Sequence, residues 1–101
     1  MAAARAEAID AFVDALWIEE GLAKNTLEAY RRDLAALAAW RAESRKGGLF
    51  ETTETDLREY AQARHAGSAA ASANRRLTVF RRFFRWALRE RLVESDPTLR
   101  L

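Results

Sequence analysis

The stretch SANRRLTVFRRFFRWALR, residues 72–89, decides how this chain of 101 residues is interpreted. If it forms a helix, at about 100° per residue, one side is apolar and the other is basic. The apolar side comprises Leu77, Phe80, Phe83, Phe84, Ala87 and Leu88. The basic side comprises Arg75, Thr78, Arg82, Arg85 and Arg89. Because a long amphipathic helix must bury its apolar side, the sequence predicts a packed helical domain.

A first amphipathic helix is predicted from about Arg5 to Glu20. Its apolar residues recur three and four positions apart, at Ile9, Phe12, Val13, Leu16 and Trp17. Gly21 follows, and glycine readily adopts the left-handed conformation that ends a helix.

Asn25 and Glu28 predict the start of a second helix. An asparagine cap and a glutamate three residues later can satisfy the exposed N–H groups of a helix start. On this interpretation, replacing Asn25 by alanine costs about 1 kcal/mol of stability. The predicted inward face comprises Leu27, Tyr30, Leu34, Leu37 and Trp40.

A third helix is predicted from near Thr53 to Gly67, with a narrow apolar edge at Leu57, Tyr60 and Ala61. A fourth should begin between Ser68 and Ser72 and run to about Val93. It should end before Asp96-Pro97, because the residue before a proline avoids helical geometry. The sequence therefore predicts an all-α domain of four helices over residues 1–97, with residues 98–101 starting a linker.

The residue types argue against several classes of site. The chain has no cysteine, and its single histidine, His65, has no evident catalytic or ligand partner in the sequence. Tyr30 and Tyr60 lie on apolar stripes, so we expect them to pack in the core and not to act as nucleophiles. No apolar run approaches the roughly 20 residues of a membrane span. We therefore expect a soluble, cytoplasmic protein without catalytic residues, cofactor or metal.

The charge of the chain is strongly segregated. Residues 74–91 hold seven arginines and one acid, a net charge of +6, whereas the whole chain carries +2. Arg75, Arg82 and Arg89 follow one another at seven-residue intervals and are called the arginine row below. Arg82, Arg85 and Arg89 stand three and four positions apart with no acid between them, and like charges at that spacing destabilise a helix. Arginine also suits bidentate contact with phosphate or guanine. The pattern therefore favours a nucleic-acid partner.

The start of the second helix adds a weaker indication. Lys24 precedes the predicted cap and Arg31 follows it, and a helix N-terminus beside basic residues can bind phosphate. An ordinary capped helix with exposed basic residues explains the same pattern. A helix-turn-helix fits poorly, because the basic helix is too long for a recognition helix.

The segment LWIEEGLAKNTLEAYRRDL, residues 16–34, resembles the core-binding domain of Xer-type tyrosine recombinases. The spacing Thr-x3-Tyr-x2-Asp-Leu of that family is met by Thr26, Tyr30, Asp33 and Leu34. The fourth helix resembles the last clamp helix of the family at Ser72, Arg75, Leu77, Arg81, Arg82, Phe83, Phe84 and Leu88. Residues 94–97 resemble the junction to the catalytic domain, so the resemblance covers about residues 9–97.

This resemblance implies a SAM-like fold of two crossed helical hairpins, the core-binding domain of phage integrase type. It implies that the second and fourth helices bind double-stranded DNA, while the catalytic residues belong to another domain of a longer parent protein. Together with the basic pattern, it assigns DNA contacts to Lys24, Asn25, Thr26, Arg31, Ser72, Arg75, Arg76 and Arg82. It further implies site-specific recombination that resolves chromosome dimers, with sister recombinase subunits. Residues 14–17 and 25–27 favour one of the two paired Xer recombinases.

Two other interpretations remain open from the sequence. One is a helical protein–protein module whose arginine-rich face meets an acidic partner. The other is a self-contained DNA-binding regulator, which should bind two half-sites as a symmetric dimer. On the DNA-binding interpretation, replacing Arg75 and Arg82 by alanine should weaken DNA binding at least about tenfold, while the melting temperature stays nearly unchanged.

Overall fold

Helix-favouring alanine, leucine, arginine and glutamate dominate the chain, and its described residues are helical almost throughout. The computed structural model describes residues 2–65 and 69–101, and side chains over residues 7–64 and 69–101. The helices are α1 (Ala2–Glu20), α2 (Lys24–Glu43), α3 (Glu54–His65) and α4 (Ala70–Arg89), with a short 3₁₀ helix at Leu49–Glu51. These described residues form no strand, and none of their helices is long and apolar enough to cross a membrane. The predicted all-α fold is confirmed.

The apolar side of α4 forms the centre of the core. Its buried residues are Val79, Phe80, Phe83, Phe84 and Ala87. The Phe83 ring lies edge-on to Phe12 of α1 at 5.3 Å and is stacked on Phe50, in the 3₁₀ helix, at 6.2 Å. The packed side is therefore centred nearer Phe83 than the sequence suggested. Leu88, which was predicted to face inward, is 41% exposed for this reason.

Helices α1 and α2 bury the apolar stripes predicted from the sequence, apart from one residue of α1. Every predicted inward residue of α1 except Trp17 is buried. Trp17 is 59% exposed, because it lies about 100° around the helix from Leu16, at the edge of the packed side. In α2 the predicted residues up to Leu37 are buried, and Trp40 is half-buried against Tyr60 with ring centres 5.2 Å apart.

The predicted cap at Asn25 is wrong. Helix α2 begins at Lys24, after an extended Ala23 that makes no side-chain cap hydrogen bond. Gly21 ends α1 at φ +62°, and Leu22 packs against the core, so the chain re-enters a helix two residues earlier than predicted. Asn25 is exposed inside the first turn, so no stability loss from a missing cap is expected there.

The capping box lies instead at the start of α3. The backbone N–H of Thr53 donates to Asp56 Oδ2 at 3.0 Å, and the N–H of Asp56 donates to Thr53 Oγ1 at 3.1 Å. In α3, Leu57 and Tyr60 are buried as predicted, whereas Ala61 is exposed. Gly67, the predicted end of this helix, lies outside the described residues.

Helix α4 begins within the predicted range but ends at Arg89, earlier than the predicted Val93. Arg91 adopts a left-handed conformation at φ +61°, and the N–H of Leu92 donates to the carbonyl of Ala87 at 2.8 Å. This Schellman arrangement satisfies the last carbonyls and turns the chain away from the helix axis.

The residues predicted to start a linker lie against the domain. Thr98 is buried, and its backbone N–H donates to Asp96 Oδ1 at 2.8 Å. The guanidinium of Arg81 donates to the carbonyl of Leu101 at 2.7 Å. The assignment of residues 98–101 as a linker stays a prediction.

A fully buried arginine joins α2, α3 and the loop between them. Arg41 lies four residues after Leu37, so it continues the apolar stripe on which the sequence had placed Trp40. Its guanidinium donates to Asp56, to the Lys46 carbonyl and, at 3.0 Å, to the Gly48 carbonyl. Sequence analysis did not identify this residue, although an arginine on an apolar stripe is a signal for a buried ionic partner.

The pKa of Asp56 generates a prediction about acid stability. Burial opposes its ionisation, but hydrogen bonds from Arg41, Thr53 and Lys46 lower its pKa from the ordinary 3.8 to about 2. A lowered folded-state pKa contributes stability above the unfolded pKa and loses it as the pH falls through the folded value. We expect this contribution, about 2 kcal/mol, to disappear between about pH 4 and pH 2. Urea unfolding of the wild type and Asp56→Asn should show a stability difference that shrinks over this range, and a constant difference contradicts the prediction.

The aromatic core generates a second prediction. Phe84 is fully buried, so Phe84→Ala should lower the free energy of unfolding by about 3–5 kcal/mol. Leu88→Ala, on the same helix and half-exposed, is the matched control and should cost about 1 kcal/mol or less. Circular dichroism melts and urea titrations measure both variants. Equal losses in the two would show that α4 is not packed as described.

Candidate nucleic-acid interface

The arginine row of α4 is paired with acids from two other helices. Arg75 donates to Asp33 of α2 through Nε at 2.8 Å and a terminal nitrogen at 3.0 Å. Arg82 donates to Glu20 at 2.8 Å, and Arg89 donates to both carboxylate oxygens of Glu19 at 3.0 Å. The sequence predicted that Arg82, Arg85 and Arg89 repel one another with no acid beside them, but Arg82 and Arg89 each pair with a glutamate of α1. The acids lie far away in sequence and are brought beside the row by the fold.

These pairs differ in burial. The side chain of Asp33 is 9% exposed, whereas those of Glu20 and Glu19 are 44% and 48% exposed. The hydrogen bond that Arg75 donates to Asp33 raises the pKa of Arg75, and the hydrogen bond that Glu19 accepts from Arg89 lowers the pKa of Glu19. Exposed pairs contribute little to stability because water and salt screen them. The two exposed pairs, Arg82–Glu20 and Arg89–Glu19, can therefore open at low cost. The Arg75–Asp33 pair is a fixed contact between α2 and α4.

An open cleft of about 320 Å³ lies between α1 and α4, beside the two exposed ion pairs. Phe12, Leu16 and Trp86 contribute its apolar lining. Its charged lining comprises Glu19, Glu20, Arg82, Arg85 and Arg89. Trp86 is half-buried, packs against Phe12 with ring centres 5.7 Å apart and lines the cleft together with the arginines.

The predicted contact residues at the start of α2 lie in its first turn. Lys24 and Asn25 are exposed and Thr26 is half-buried, and the first N–H groups of a helix have no partner within it. Arg31 instead pairs with Asp10 of α1. It therefore faces α1, about 200° around the helix from Asp33, and lies away from the arginine row.

On α4, the predicted contact residues fall into two groups. Ser72 is half-buried and precedes Arg75 by three residues, so it lies next to the arginine row. Arg76 is half-buried on the same stripe as Phe80 and Phe83, four and seven residues later, and so lies apart from the row. Arg82 pairs with Glu20 at the C-terminal end of α1. The structure thus places Arg75 beside α2, with Ser72 next to it, and Arg82 beside α1.

Sequence analysis missed the acids at this surface and undervalued Arg85, which is exposed and lines the cleft. One signal was available: Asp33 stands between the inward residues Tyr30 and Leu34, where an acid requires a buried partner. Tyr30 and Tyr60 are buried, as predicted, and the Tyr60 hydroxyl accepts a hydrogen bond from Arg64 at 3.0 Å.

Comparison with known proteins gives consistent matches over most of the chain. The family model described as phage integrase, N-terminal SAM-like domain, matches residues 9–91. Tyrosine recombinase XerD of Ralstonia nicotianae is 60% identical over 92 residues, which are 91% of this chain and 30% of that protein. The XerD proteins of Proteus mirabilis and Pseudomonas aeruginosa are each 43% identical, over 89% and 92% of this chain and 29% and 31% of their own lengths.

The relatives agree with the sequence preference within the Xer family. Residues 14–17 and 25–27 had favoured XerD over its sister XerC, and these three relatives are XerD proteins. The chain spans about 30% of the length of the curated relatives it matches. The chain belongs to the phage integrase N-terminal SAM-like domain family.

Proposed function

We propose that this chain is the DNA-binding clamp domain of a site-specific tyrosine recombinase and that it binds duplex DNA through α2 and α4. The observation that carries the proposal is the arginine row. Its three side chains are 43%, 35% and 55% exposed, on a helix held against α2. Seven residues of helix advance about 10 Å, so the row extends about 21 Å, long enough to cross a major groove about 12 Å wide.

DNA phosphates can compete with Glu20 and Glu19 for Arg82 and Arg89. Exposed ion pairs contribute at most about 1 kcal/mol, so little free energy holds Arg82 on Glu20 and Arg89 on Glu19. Charge-assisted bidentate bonds from arginine to phosphate are among the stronger hydrogen bonds in proteins. DNA binding would therefore exchange a glutamate for a phosphate at these two positions.

The other assigned residues take supporting roles. Lys24, Asn25 and Thr26 present side chains and backbone N–H groups to a phosphate at the start of α2. Ser72 adds a hydroxyl beside Arg75. Arg31 and Arg76 are secondary contacts, because one pairs with Asp10 and the other lies on the packed stripe.

The activity of the whole protein is a further part of the proposal. The relatives are named tyrosine recombinases, and this chain corresponds to less than a third of their length. We assign DNA cleavage and rejoining, the resolution of chromosome dimers in the cytoplasm and pairing with a sister recombinase to a longer parent protein. In that parent, this domain would hold the duplex while another domain carries the nucleophile.

The isolated chain should bind duplex DNA with strong salt dependence and should not cleave it. Each phosphate contact contributes about −0.9 to the slope of log K against log salt concentration. Fluorescence anisotropy over a salt series measures this slope. Incubation with a nicked suicide duplex should yield no covalent adduct, and an adduct on Tyr30 or Tyr60 contradicts the proposal. Absence of DNA binding even at low salt would favour the interaction module with an acidic partner.

Arginine substitutions should separate DNA affinity from stability. Arg75→Ala/Arg82→Ala should weaken DNA binding at least about tenfold, through lost phosphate contacts. In contrast to the sequence expectation, Arg75→Ala should also lower stability by about 1–3 kcal/mol, because buried Asp33 loses its partner. Arg89→Ala should leave the melting temperature nearly unchanged, because its pair with Glu19 is exposed to solvent.

The matched control for the arginine row is Arg58→Ala on α3. Arg58 is exposed, pairs with Glu54 of its own helix and donates to the carbonyl of Arg100 at 2.9 Å, so its loss removes one positive charge away from α4. Its effect on DNA affinity should be much smaller than that of Arg82→Ala, which also removes one positive charge. Equal effects would mean that net charge, and not the row, determines binding.

A further inference from the structure

The Arg75–Asp33 pair has a specific geometry. Arg75 uses Nε and one terminal nitrogen, which is the side edge of its guanidinium group. A guanidinium has five N–H donors in one plane, so this pairing leaves the outer edge, with one in-plane hydrogen on each terminal nitrogen, available. That outer edge is a second bidentate donor. Because the Arg75 side chain is 43% exposed, it remains within reach of a ligand.

Asp33 is too deeply buried for DNA to displace it from Arg75. Its side chain is 9% exposed and lies beside Tyr30 and Leu34 in the packed side of α2. Glu20 and Glu19, by contrast, are on the surface and can leave their arginines. Two opposite consequences follow for binding of a polyanion. A surface acid opposes the approach of phosphate, whereas a buried acid fixes the orientation of an arginine that phosphate can still reach.

We propose that Asp33 is a positioning residue that holds Arg75 so that the outer edge of its guanidinium group presents two parallel donors to the DNA. This inference rests on the proposed DNA-binding function. It assigns a role to an acid on a surface otherwise described by its basic residues. The acceptor is a pair of adjacent atoms on the DNA, either two phosphate oxygens or the O6 and N7 edge of guanine.

The direction in which Asp33→Asn changes DNA affinity distinguishes a positioning role from a simple effect of charge. Asp33→Asn removes a negative charge, which by electrostatics strengthens binding to DNA. Loss of positioning weakens it, because Arg75 must then be ordered during binding. Ordering one long side chain costs an amount that corresponds to about a 2- to 12-fold change in affinity. We therefore expect Asp33→Asn to bind DNA more weakly, although the protein has become more positive.

Glu20→Gln is the matched control. It makes the same change of charge at an exposed pair of the same arginine row, and it should strengthen binding. Four proteins then complete the test: the wild type, Asp33→Asn, Arg75→Ala and the double variant. Their affinities for one fluorescent duplex are measured at a temperature at which circular dichroism shows each to be folded. When Arg75 is already replaced by alanine, Asp33→Asn should cause no further loss of DNA affinity.

Several results would overturn the inference. Asp33→Asn that binds as tightly as the wild type, or more tightly, excludes a positioning role. So does an equal loss in the presence and absence of Arg75, because Asp33 would then act through the general structure. If the wild-type chain binds no DNA, the proposed function itself fails, which is a distinguishable outcome.

Arg75→Lys keeps the test informative if Asp33→Asn does not fold. Lysine retains the charge and an ion pair with Asp33 but lacks the planar second edge. It should lose affinity to a similar extent, and wild-type affinity in this variant contradicts the inference. A duplex containing only A·T pairs identifies the acceptor: a loss that persists there indicates phosphate, and a loss that disappears indicates guanine.

Discussion

Burial of the aromatic side of α4 is the constraint on which the rest of this structure depends. Phe83 contacts rings from α1 and from the 3₁₀ helix and packs edge-on against Phe84 of its own helix at 5.1 Å. Phe80 approaches Tyr60 of α3 with ring centres 6.0 Å apart. Rings of this size bury a large area, and a closely packed core tolerates little rotation of the helix that carries them. The rotation of α4 is therefore fixed from its apolar side.

Fixing that rotation also fixes where the basic side points. The arginine row is directed at the C-terminal end of α1 and at α2, where Glu19, Glu20 and Asp33 stand. A surface that is strongly basic in the sequence is thus partly neutralised in the folded chain. The neutralisation is of two kinds, because two of the acids are exposed to solvent and the third lies in the packed interface. Only the exposed acids can yield their arginines to another anion at low cost.

The family spacing in α2 has a physical explanation in this fold. Tyr30 and Leu34 are buried in the core, and Asp33 between them reaches across to Arg75 of α4. Thr26 lies in the first turn of the same helix. The motif therefore combines packing with one ionic contact that joins the two helices proposed to bind DNA. Arg41, further along α2, makes a comparable buried contact with Asp56 that joins α2 to α3.

Periodicity in the sequence determined the four helices and most of their buried faces, because burial of a helix stripe depends on local spacing. The sequence also located the arginine row and Gly21, which ends α1. Only the tertiary structure decided the acid partners of that row, the exposure of Trp17 and the burial of Arg41. These features depend on which elements meet in space, since a charge or a ring is buried or exposed by residues distant in the chain.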